Sequence, residues 1–215
     1  EAGIDAEKIK KLRIRVNAKQ ETYQGKETSK LGSILKLAFG GAAGYLLFMF
    51  IIIWAANSVN FTDGLDGLAG WLLLFAYGVY GYITYDQWLF LLSTLCVSIC
   101  GALIAFLWFN IKPAKFFMGD VWSLALGANL GLMAMLTNTL AILIIVWIIF
   151  ILETLSVIIQ LGSKRFRNGK KVFKIAPFHH HLEACGWAEE TVVFRLWLVG
   201  IILSVVGVIF YIITK

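Results

Sequence analysis

Residues Trp88–Phe109 read WLFLLSTLCVSICGALIAFLWF. No Lys, Arg, Asp or Glu interrupts this run, and about 20 predominantly apolar residues suffice to cross a bilayer as a helix. Short polar junctions bound it, Asp86–Gln87 before and the segment from Asn110 after. Working outward, the same pattern predicts six spans: Leu31–Ala56, Leu68–Tyr85, Trp88–Phe109, Val121–Leu136, Leu140–Leu161 and Phe194–Thr214. The fourth is short and holds Gly127 and Gly131, so it is expected to tilt or to borrow residues from its flanks. The fold class is therefore all-α, a polytopic transmembrane helix bundle of about six spans.

The composition agrees. Of 215 residues, 60% are hydrophobic and 15% charged, against about 45–50% and 25% in a soluble domain. The net charge of +6 is clustered. Asn57–Gly67, Asn110–Asp120 and Gly162–Val193 are the polar connections, and the last two carry Lys112, Lys115, Lys164, Arg165, Arg167, Lys170, Lys171 and Lys174. Asp86–Gln87 and Thr137–Asn138 carry no cation. Lys and Arg near span ends mark the cytoplasmic side, so the three long connections are expected there. Residues 1–30 are a separate case, a hydrophilic segment with eight Lys or Arg. Span parity places it outside and its charge places it inside; a surface-lying basic helix is a third reading, because Ile9, Leu12 and Val16 recur at helical spacing. The domain division is thus 1–30 and 31–215. Cys96, Cys100 and Cys185 read as small packing residues, with neither zinc spacing nor a disulfide framework.

Three polar connections hold the residues with chemical capacity. The first reads Asn60-Phe-Thr-Asp63-Gly-Leu-Asp66-Gly67. If it begins a helix, Asp63 and Asp66 share one face, and the glycines let backbone approach a phosphate. Helix capping by Asp and Asn is the plainer reading. In the second, Asp120 at the start of the fourth span either caps that helix or binds a hard cation; carboxylates from separate loops suit Mg²⁺, which shares its ligands with water and phosphate. Glu153 lies within the fifth span with Gln160 near its end. An ionisable group at that depth faces the bundle or a cavity, either as an internal hydrogen-bond partner or as part of a site, and a kink is expected near Glu153–Ser156. The third connection carries His179-His180-His181 before Glu183, downstream of Lys170, Lys171 and Lys174. Adjacent histidines do not converge on one ion, so this loop reads as an anion-attracting patch for phosphate or sugar oxygens, or for lipid headgroups.

Four segments together, Asn60–Gly70 (NFTDGLDGLAG), Phe116–Gly127 (FFMGDVWSLALG), Glu153–Gln160 (ETLSVIIQ) and Ala176–Glu183 (APFHHHLE), resemble the phospho-N-acetylmuramoyl-pentapeptide transferases. The first two are shared in outline with the wider polyprenyl-phosphate N-acetylhexosamine-1-phosphate transferase superfamily; the triple histidine is the specific one. The resemblance implies a Mg²⁺-dependent enzyme of the bacterial inner membrane with its active site on the cytoplasmic face. Its substrates would be UDP-MurNAc-pentapeptide and undecaprenyl phosphate, its products lipid I and UMP. Membrane lipids surround such an enzyme, family members are often homodimers, and no nucleic acid partner is expected. Asp120 would be the Mg²⁺ ligand and, with Asp63, catalytic. Asn60, Asp66 and Asn110 would line the nucleotide pocket. Gln160, Ala176, His179 and His180 would border the substrate, His179 touching phosphate.

Two departures stand out. The family has about ten spans and an adjacent aspartate pair in its N-terminal half, whereas this sequence has no Asp-Asp pair and matches the last six spans. It is expected to be part of a longer protein or a reduced homologue; binding of nucleotide without turnover, or use of UDP-N-acetylglucosamine, are the alternatives. Trp122 stands where the family usually has Gly; the bulky indole either crowds the site or is a change particular to this sequence.

Overall fold

A computed structural model describes residues 42–215. The basic segment 1–30 and the first span's start at Leu31 lie outside the described residues. The architecture below is that of the compact unit Leu46–Lys215.

Among the described residues eight helices follow one another: α1 (Ala42–Thr62), α2 (Leu68–Asp86), α3 (Phe90–Phe109), α4 (Gly119–Leu136), α5 (Leu140–Val146), α6 (Ile148–Phe166), α7 (Phe178–Ala184) and α8 (Glu189–Thr214). Among the described residues no strand occurs. Among the described residues five helices are long and apolar enough to cross a membrane, and α5 with α6, bent by 75°, makes a sixth if the pair is one span. The chain is an integral membrane protein, and only structures that satisfy their own backbone hydrogen bonds can cross hydrocarbon.

Helix α2 is the hub, packed on α3, α4 and α8. Its Leu73, Ala76, Tyr77, Tyr80 and Ile83 are fully buried. The two tyrosines bring hydroxyls into the bundle, and each finds an acceptor: Tyr77 donates to the Leu126 carbonyl at 2.8 Å and Tyr80 to that of Thr139 at 3.2 Å. The outward faces of α3 and α8 are largely Leu, Ile, Val, Phe and Trp, with Leu91 76% and Ile213 77% exposed, surfaces suited to lipid. Helix α4 approaches α1 closely. A methyl at Gly127 would collide with the Ala55 carbonyl and lie 2.8 Å from the Ala56 Cα, and one at Gly131 would lie 3.1 Å from the Ala55 Cβ. Small residues at such crossings let backbones meet where lipid offers no hydrophobic drive.

Several expected boundaries move. The predicted connection beginning at Asn57 is helical through Thr62, so Asn60 sits on α1. Asp63–Gly67 is the break between α1 and α2, not the start of a helix, and Asp63 and Asp66 share no helical face. Helix α4 starts at Gly119, two residues early, as its shortness suggested. Helix α8 starts at Glu189 instead of Phe194, and the third connection contains α7. The kink expected near Glu153–Ser156 lies at Trp147. There the indole is buried, stacks on Phe150 with centroids 4.2 Å apart, and donates from Nε1 to Ser58 Oγ at 2.7 Å. This long-range anchor holds the corner.

Candidate active site

The three polar connections meet at one end of the bundle. At the first, Asp63 closes α1, its N–H bonding the Val59 carbonyl at 3.0 Å. Gly67 then turns the chain into α2 with φ 79°, a left-handed conformation that glycine adopts without strain. No side chain caps α2 or α4. Asp120 is in the first turn of α4, where the helix dipole favours a carboxylate, but it is not the N-cap.

Asn60 on α1 reaches across to α4. Its Nδ2 donates to Asp120 Oδ1 at 2.9 Å and to Ser123 Oγ at 3.1 Å. Asp63 faces the same place. Burial, and then the negative charge of Asp120, push its carboxyl up to about 7, against an opposing hydrogen bond from the Gly119 backbone. Two carboxylates, an amide and a hydroxyl thus converge from the ends of two helices. Ser123 was missed in the sequence; its signal was its place three residues after Asp120, on the same face of a helix.

Asp66 and Asn110 do different work. Asp66 Oδ2 accepts the Ala114 N–H at 2.9 Å. Buried Asn110 accepts the Gly67 N–H at 3.0 Å and donates to the Phe116 carbonyl at 2.7 Å. Both fasten the first connection to the second. Lys112 fastens the second to α8, 2.7 Å from Glu189 and 3.0 Å from Glu190, and these acids raise its ammonium above the usual lysine range.

Near the end of α6, buried Gln160 spends its amide on the third connection. Oε1 accepts the Val172 and Phe173 N–H groups at 3.0 Å each, and Nε2 donates to the Phe173 carbonyl at 2.8 Å. Gln160 and Ala176 line a groove of about 200 Å³ with Lys164, Lys171 and Lys174. His180 pairs with Glu183 at 2.6 Å. His179 is not at the surface. It is completely buried, and its backbone N–H and Nδ1 both lie on Glu153 Oε2, at 3.2 and 3.0 Å. Its other face packs so tightly on Gly64 that a methyl there would lie 2.9 Å from Cε1 and collide with Nε2. Gly64 makes room for this ring. Trp122 does not crowd the carboxylates: it is 60% exposed and lines an apolar groove of about 370 Å³ with Ile99, Phe106, Phe109 and Phe116.

Among the described residues, no three His, Cys, Asp or Glu side chains converge as a metal cage. The Asp63–Asp120 pair nevertheless suits Mg²⁺, which is bound through one or two carboxylates and completes its shell with water and phosphate oxygens.

Residues 22–138 match the family model described as Glycosyl transferase family 4. The match takes in Asn60, Asp63, Asp66, Asn110, Asp120 and Ser123. The chain is 44% identical over 181 residues to the phospho-N-acetylmuramoyl-pentapeptide-transferase of Francisella philomiragia subsp. philomiragia, covering 76% of this chain and 50% of the relative. It is 45% identical over 168 residues to proteins of the same name from Bacillus thuringiensis and Bacillus cereus, covering 78% of this chain and 52% of each relative. The chain therefore spans about half the length of the curated relatives it matches.

Proposed function

Because the chain belongs to glycosyl transferase family 4, we propose that it carries the reaction for which its relatives are named. Phospho-MurNAc-pentapeptide passes from UDP-MurNAc-pentapeptide to undecaprenyl phosphate, giving lipid I. A phosphate oxygen of the lipid attacks the β-phosphorus, the bond from that phosphorus to the bridging oxygen breaks, and UMP leaves with the bridging oxygen. One substrate lives in the bilayer and the other in water, and the three connections lie at that boundary. The lysines of the second and third connections support a cytoplasmic face, in the bacterial inner membrane.

The observation that carries this reading is the meeting of Asp63 and Asp120, with Asn60 donating to Asp120 at 2.9 Å. These residues would hold Mg²⁺, which when bound neutralises the pyrophosphate and the departing UMP. Asn60 fixes the rotamer of Asp120, so one carboxylate is oriented before substrate arrives. Asp66 and Asn110 shape the nucleotide pocket by tying its loops together. Lys164, Lys171 and Lys174 draw the anionic donor towards the groove that Gln160 and Ala176 line.

The test is UMP release by the full chain in detergent from UDP-MurNAc-pentapeptide and undecaprenyl phosphate, with and without Mg²⁺. Release that needs Mg²⁺ and the lipid, and that Asp120→Asn reduces at least 100-fold, is expected. Full activity of Asp120→Asn, or preferential use of UDP-N-acetylglucosamine, contradicts the assignment.

A further inference from the structure

Glu153 and His179 are 26 residues apart, and both are wholly buried. Glu153 Oε2 receives two donors from one residue, the His179 backbone N–H and Nδ1. A carboxylate at Oε2 selects the ring form that carries a proton on Nδ1, and Nε2 is then the nitrogen that faces Gly64. Nε2 has no hydrogen-bond partner and no exposure. It rests against Gly64, the residue next to Asp63, with no space for a Cβ between them. In this arrangement a phosphate cannot reach His179 unless the Asp63–Gly64 turn moves away.

We propose that Glu153 and His179 form a buried positioning dyad that fixes the Asp63–Gly64 turn, His179 acting through Gly64 and not on the substrate. The carboxylate sets the tautomer and the ring plane. The ring sets the height of the turn, and the turn sets Asp63 opposite Asp120. Interiors are close-packed, so a displaced ring is felt by its neighbour. The role of Asp63 rests on the proposed transferase reading; the dyad itself does not.

The chain has three histidines, so ¹⁵N-histidine labelling of the full chain in detergent gives three imidazoles to assign. One ring is expected in the Nδ1–H form, with signals that stay put when UDP and Mg²⁺ are added. Gly64→Ala should shift that ring's signals although residue 64 makes no bond to it. Glu153→Gln should scramble its tautomer and lower kcat about 100-fold, the cost of roughly 1 Å of misplacement, while KM for the nucleotide stays within about threefold. A direct phosphate contact predicts the opposite: Nε2 moves on adding UDP and Mg²⁺, which overturns the proposal. So does a His179 ring indifferent to Gly64→Ala, or a Glu153→Gln enzyme of normal kcat. If the unaltered chain shows no turnover, the transferase reading fails for this stretch of sequence on its own, and the two spectroscopic results still decide the dyad.

Discussion

Gly127→Ala tests whether helix spacing sets the geometry of the proposed catalytic carboxylates. Gly127 lies two turns into α4 from Asp120, and Ala56 one turn back along α1 from Asn60. The added methyl would collide with the Ala55 carbonyl and sit 2.8 Å from the Ala56 Cα and 2.9 Å from the Ala55 carbonyl carbon. All three atoms are backbone, so no rotamer change relieves the clash. Restoring ordinary contact near 3.5–4 Å means parting the helices by about 1 Å. Overpacking of this kind costs about 1–3 kcal/mol, and the Asn60–Asp120 bond of 2.9 Å would stretch out of range. A catalytic group misplaced by about 1 Å loses roughly 100-fold in rate. The expected outcome is a lower Tm in detergent and a fall in UMP release far larger than the loss of folded protein explains. Gly78→Ala is the control: nothing lies within 4 Å of its new methyl, and alanine improves helix propensity by about 1 kcal/mol. A Gly127→Ala protein with the Tm and turnover of the unaltered chain would refute the reasoning.

Other consequences follow from individual residues. Asp63 has its folded pKa raised from 3.8 to about 7, so the folded metal-free protein holds a proton that the unfolded chain releases. Its contribution to stability is complete below about 3.8 and is lost as pH rises through about 7. Without Mg²⁺, Asp63→Asn should therefore melt close to the unaltered protein in acid and above it at about pH 8; a difference in Tm that is flat with pH contradicts this. Asn110→Asp keeps an acceptor for Gly67 but turns the donor to the Phe116 carbonyl into a second acceptor. Calorimetry should show UDP binding lost, with a destabilisation of about 1–3 kcal/mol for the buried unpaired group; unchanged UDP affinity would show that this tie is dispensable. Trp147→Phe keeps an aromatic ring against Phe150 but removes the 2.7 Å bond to Ser58. A loss of about 1 kcal/mol in Tm-derived stability is expected, near the range for hydrogen bonds between membrane helices, and an unshifted Tm would remove Trp147 as the anchor of the bend.

How much was legible depended on the range of the physics involved. Uncharged apolar runs marked the spans because hydrocarbon excludes charge, and that rule is local. Helix ends were less legible, because hydropathy reports where lipid ends and not where the helix does. Asn57, Asn60, Glu189 and Glu190 are polar and still helical. The bend at Trp147 was invisible, since neither Gly nor Pro marks it and its anchor is a hydroxyl 89 residues away. For the site, the residue types were readable and the resemblance named them, but their partners were not. No spacing rule says that Asn60 meets Asp120. Nor does any rule say that the histidine beside two others is the one withdrawn from solvent onto Glu153. The plainer reading of Glu153, an internal hydrogen-bond partner, describes where it sits; the sequence could not say that its partner would be His179.

That partnership changes what the loops are for. Asn110 and Gln160 were expected at the substrate, yet each already uses both its amide oxygen and its amide nitrogen on backbone. A side-chain amide has at most two donors and two acceptor sites, so Gln160 keeps one N–H for a ligand, and Asn110 one N–H and one acceptor site. Asp66 likewise holds Ala114. These ties run between connections, from the first to the second and within the third, while Lys112 joins the second to α8. In a bundle whose helices gain little from hydrophobic association in lipid, accuracy at the water boundary has to come from such polar crosslinks. The residues around the carboxylate pair are thus mostly framework. On the proposed reading, recognition would fall to what the framework leaves available: Asp63 and Asp120 for a metal and its phosphates, and the lysine-lined groove beside Ala176 for the anionic donor.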